Sequence, residues 1–87
     1  MLIEFTARRW KHEELAKRLC QLIYGSDECW QEGERWHVGN HNDWWLHPKP
    51  DNRFVLHYRY GGGYKAQMEA FAVVLAWRLD VEIISVS

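Results

Sequence analysis

His37, His47 and His57 recur at intervals of ten, each inside a short run whose polar and apolar residues largely alternate: ERWHV, WWLHP and RFVLHYRY. Alternation with period two marks a strand that buries one face and leaves the other free. In each run the histidine is out of phase with its apolar neighbours, so a three-stranded meander over residues 34–60 turns all three imidazoles to one sheet face. That face also carries Arg35, Trp45, Arg53 and Arg59. A loop over residues 39–43 sets Trp36 opposite Leu46, Val38 opposite Trp44 and His37 opposite Trp45. The next turn uses Pro48, Pro50, Asp51 and Asn52, residue types that favour reversals. A register in which Trp45 meets His57 completes a row of His37, Trp45 and His57, with directly opposed side chains about 5 Å apart.

The flanking segments supply the cover. Leu2 to Ala7 reads as a strand with Ile3 and Phe5 on its inner side. From Arg9 to Tyr24, Leu15, Leu19, Leu22 and Ile23 recur at helical spacing, and Gly25 is placed to end that helix. Residues 26–33 read as a polar connection containing Cys29 and Trp30. After Gly61, Gly62 and Gly63, a second helix runs from Tyr64 to Leu79 with one apolar stripe of Met68, Phe71, Ala72, Leu75 and Leu79. A second stripe, Ala70, Val73, Val74 and Trp77, is more than a helix needs to dock on a sheet. It is expected to meet the first helix or a second copy of the chain. Val81 to Val86 is β-branched without alternation, which suggests a strand covered on both faces.

The expected order is therefore β-α-β-β-β-α-β in a single domain of 87 residues, too short for a second core. This α+β layout resembles the ferredoxin-like split βαβ arrangement with an extra strand, and it implies a mixed sheet with two helices packed on one face.

Composition narrows the function. A formal charge of −1 disfavours a dedicated nucleic-acid binder, although Arg8, Arg9, Lys11, Lys17 and Arg18 cluster, as do acids from Asp27 to Glu34. Six Trp, four Tyr and three Phe exceed what so small a core readily hides, so some should serve a surface contact. The longest apolar run, Ala70 to Trp77, is too short to span a bilayer. Two cysteines, Cys20 and Cys29, and no leader-like start suggest a cytoplasmic chain with reduced thiols.

Candidate chemistry was weighed against structural roles. Imidazoles beside an indole and guanidinium groups can anchor a partner, so Arg35, His37, Trp45, His47, His57 and Arg59 form the expected partner-binding set. A zinc site from His37 and His41, with Cys29 or His47, is disfavoured because ligand spacings such as CxxC or HExxH are missing. The string Asn40, His41, Asn42 and Asp43 superficially resembles nucleases named for His and Asn, but a strand rather than a helix follows it. YGGGYK at Tyr60 to Lys65 lacks P-loop spacing and reads as turn chemistry rather than a phosphate cradle. With no triad, paired acids or cofactor fingerprint, neither catalysis, a metal nor a cofactor is expected. Compact, Trp-rich chains of this kind look like accessory proteins of phages and mobile elements, including anti-CRISPR inhibitors and immunity proteins, a likeness of size and composition. A protein-binding inhibitor is thus the leading expectation, with single-stranded RNA or nucleotide binding on the open sheet as the alternative.

Overall fold

In the computed structural model, which describes residues 1–60 and 64–87, the meander folds as sheet and is one strand longer than its pattern suggests. The elements are β1 (Leu2–Thr6), α1 (His12–Tyr24), β2 (Cys29–Glu32), β3 (Arg35–Val38), β4 (Trp44–Pro48), β5 (Arg53–Tyr58), α2 (Lys65–Leu79) and β6 (Glu82–Val86). They form an α+β domain with one six-stranded sheet in the order β2-β3-β4-β5-β1-β6. Gly61, Gly62 and Gly63, the centre of the YGGGYK motif, lie outside the described residues.

The unforeseen strand is β2, within the segment expected to be a polar connection. It pairs with β3 from Cys29 opposite Val38 to Glu32 opposite Arg35, leaving a two-residue turn of Gly33 and Glu34. Gly33 has φ +62°, and glycine at the first position of a two-residue hairpin loop takes such an angle without steric cost. This strand also corrects the expected mixed sheet, since every neighbouring pair is antiparallel. The reason is parity. Helix α1 carries the chain to the far edge, and each hairpin on the way back reverses direction. Three strands would return parallel to β1, whereas four return antiparallel to it.

Three of the four foreseen pairings are present: Trp36 lies opposite Leu46, His37 opposite Trp45, and Trp45 opposite His57, while the β3–β4 ladder stops short of Val38 and Trp44. Asp51 and Asn52 turn β4 into β5 with φ of 62° and 60°, angles that Asp and Asn tolerate better than most residues. Helix α1 starts at His12 rather than Arg9. Trp10 lies outside it and donates its indole N–H to Leu79 O at the end of α2 (2.8 Å).

One sheet face and both helices build the core. Ile3, Phe5, Val38, Leu46 and Leu56 meet Leu15, Ala16 and Leu19 of α1 and Met68, Ala72 and Leu75 of α2, all buried. Each large apolar side chain so buried contributes about 1.5–3 kcal/mol. Phe5 and Phe54, opposite each other in register, stack with ring centroids 5.8 Å apart.

Both helices lie on this face, as expected, and flank shared depressions: Leu22 and Ile23 of α1 line one with Met68 and Phe71 of α2, and Arg18, Gln21 and Leu22 line another with Arg78 and Leu79. Helix α1 packs on β2 and β3 and α2 on β6. The second stripe of α2 is not part of these contacts: Val73 and Trp77 are 69% and 80% exposed, and Ala70 and Val74 are exposed with them. The helix-pair reading of that stripe is corrected: among the described residues nothing covers it. The last strand is corrected too. β6 is an edge strand, and its alternation is broken by a bulge: Ile83 pairs with Phe5 and Ser85 with Glu4, which leaves Ile84 as the extra, half-exposed residue.

Candidate functional site

The face without helices carries the foreseen histidines and one residue the meander pattern does not supply. Trp30 of β2 lies opposite His37, so the row crosses four strands as Trp30, His37, Trp45 and His57. Its rings pair off. Trp30 stacks on His37 with centroids 3.8 Å apart and planes within 3°, and Trp45 stacks on His57 at 5.3 Å and 11°. The Arg35 guanidinium sits over the Trp45 ring at 5.8 Å, in range of a cation–π attraction.

His37 is on the expected face but is not open to solvent. Trp30 covers it, leaving it 7% exposed, while Trp30 itself remains 44% exposed. The His37 Nε2 lies 3.4 Å from Glu32 Oε1, and Arg35 donates to the same oxygen at 2.9 Å. That hydrogen bond to Arg35, with the one to His37, holds the Glu32 carboxyl below the usual carboxylate range. His37 Nδ1 and Trp36 Nε1 are buried without a hydrogen-bond partner among the described residues.

A shallow depression of about 380 Å³ lies along this row. Arg35, Trp45, His47 and His57 line it, joined by Lys49 and, on its apolar side, by Leu2 and Val55. Burial holds His57 below its ordinary pKa of 6.5, and the positive charges of His47, the N-terminal ammonium, Lys49 and Arg35 add to the effect. The imidazole is therefore a neutral, stackable ring at neutral pH.

Of the six expected partner-binding residues, the depression gathers Arg35, Trp45, His47 and His57. His37 lies beneath Trp30 in the same row, and Arg59 follows the end of β5. There Arg59 faces Asp43 at 3.9 Å and lies over the Tyr60 ring at 5.6 Å, away from the depression. Lys49 was legible, since counting on by two from His47 puts it on the same face. Trp30 was missed with its strand; the signal that could have found it is Gly33, a residue suited to a tight hairpin turn.

The other candidates fall elsewhere. His41 packs on Tyr24 with centroids 5.2 Å apart. Cys20 and Cys29 are free thiols; Cys20 Sγ hydrogen-bonds to Glu28 O at 3.0 Å, and burial pushes the Cys29 thiol up. Among the described residues no group of three or more His, Cys, Asp or Glu is placed to hold a metal ion. No helix among them is long and apolar enough to cross a membrane.

Compared with protein-family models, curated proteins and solved structures, the chain matches none. Function is therefore argued from this face alone.

Proposed function

We propose that this chain is a non-catalytic protein-binding module that docks a protein target through its open sheet face, in the manner of a small inhibitor. The observation that carries the reading is the stacked row of Trp30, His37, Trp45 and His57. Aromatic rings held in place by their neighbours lose little conformational freedom on binding, and Trp and Arg are the residue types that dominate binding hot spots. The depression offers an apolar patch rimmed by polar groups, the anatomy of an interface centre. In this proposal the target is cytoplasmic, the inhibitor is of the anti-defence or immunity type, and the strand order is a ferredoxin-like split βαβ layout lengthened by a hairpin.

Single-stranded RNA or nucleotide binding is the weaker reading. Trp45 is flanked by His57 and Arg35, so a base would have to displace one of them to stack there.

The test is capture of a target from lysate by the immobilised protein, repeated with the Trp45→Ala, His57→Ala double variant. Loss of a specific band in a variant that still melts cooperatively supports the reading. Undiminished capture by the double variant refutes it, as does recovery of nuclease-sensitive RNA in place of protein.

A further inference from the structure

Four side chains that carry or can accept positive charge converge beside Trp45: Arg35 from β3, His47 from β4, Lys49 from the turn after it and His57 from β5. No carboxylate lines the same depression. Two acids on this face are engaged at its margins, Glu32 with Arg35 at 2.9 Å and Glu4 with Arg53 at 3.5 Å. Lys49 and His47 form no ion pair among the described residues. Arg35 already has Glu32 as its counter-charge while Lys49 has none among the described residues, and an entering carboxylate supplies one beside both.

We infer that the depression receives an acidic segment of a partner protein, its carboxylates meeting Arg35 and Lys49 and an apolar side chain resting on Trp45. The inference relies on the open face being the docking surface, and it adds the chemistry of the partner. Arg35 can serve Glu32 and a ligand together, because a guanidinium has five N–H donors and Glu32 accepts one of them here. Apolar contact comes from Leu2 and Val55 beside the indole, which suits an acidic peptide better than a bare anion.

Fluorescently labelled decaglutamate, followed by anisotropy at low ionic strength, is the probe. Saturable binding that weakens with added salt is expected. Lys49→Gln should weaken it about two- to fivefold, the range for one partly exposed ion pair, and Arg35→Gln combined with Lys49→Gln should weaken it further. Lys17→Gln on α1 should leave it unchanged. No saturable binding, equal weakening by Lys17→Gln, or tighter binding of decauridylate overturns the inference. Lys49 lies in an exposed turn, so its variant keeps the test valid should Arg35→Gln disturb folding. If target capture falls with the Trp45, His57 variant but not with the Arg35, Lys49 variant, the acidic-segment inference fails while docking through this face stands. If capture survives both variants, the docking reading itself has failed.

Discussion

Replacing Gly39 with alanine probes how the end of β3, and with it the stacked row, is held. Gly39 sits at φ +81° and donates its backbone N–H to Glu28 O at 2.8 Å, tying β3 to the segment before β2. A Cβ at this position would clash with one edge of the Tyr24 ring, 2.6 Å from Cδ2 and 3.2 Å from Cζ. An L-residue in the left-handed region costs about 1–2 kcal/mol. The ring must also move aside, giving up its contact with His41, and aromatic pairs of this kind contribute about 0.5–1.5 kcal/mol. Together Gly39→Ala should destabilise the fold by about 1.5–3.5 kcal/mol, which for a chain of this size lowers Tm by roughly 6–28 °C. Thermal melts of Gly39→Ala, Tyr24→Ala and the double variant, followed by circular dichroism, check the figure. The double variant should lose less than the two single losses combined, because the ring no longer obstructs the methyl group while the backbone strain remains. A Gly39→Ala protein melting within about 2 °C of wild type, or strict additivity in the cycle, would refute the reasoning.

The remaining predictions concern His57 and Trp77. The folded-state pKa of His57 lies below 6.5, so the unfolded chain takes up its proton first; this contribution to stability is complete above pH 6.5 and is lost as pH falls through the lower folded value. Urea unfolding at pH 7.5, 6.5 and 5.5 should show wild type losing more stability on acidification than His57→Gln; equal slopes would contradict the assignment. Trp77→Ala removes a side chain 80% exposed and should change the stability of an isolated chain by less than about 0.5 kcal/mol. If the α2 stripe instead mediates a homodimer, light scattering will show a wild-type dimer that Trp77→Ala dissociates, and a monomeric wild type rejects that arrangement.

Much of the sheet was legible because its signal is local. Ile3, Phe5, Leu46 and Leu56 alternate with polar or outward residues, and Gly, Pro, Asp and Asn punctuate the turns, so both facing and register follow from counting by two. Strand β2 was obscured because Cys29, Trp30, Gln31 and Glu32 show no apolar alternation. Its helix-side Gln31 is itself exposed, so burial left no pattern to read. The error then propagated: one missing reversal changed the expected sheet from antiparallel to mixed. β6 misled for the opposite reason, since the bulge at Ile84 removes the alternation that a regular edge strand would display. At the candidate site, the facing of His37 followed from its phase, whereas its burial did not, because the covering indole comes from the unrecognised strand. That the second stripe of α2 turns away from α1 depends on how the helix is rotated on the sheet, which no helical stripe records.

A sheet bounded by β2 on one side and β6 on the other ends in two rims whose backbone groups could template another chain. Each rim carries its own obstacle to polymerisation. The kink at Ile84 interrupts any long straight ladder along one, and the other is only four residues long and closes on the charged Glu32. The irregularity that disguises β6 thus works against rim-to-rim pairing of copies of this protein.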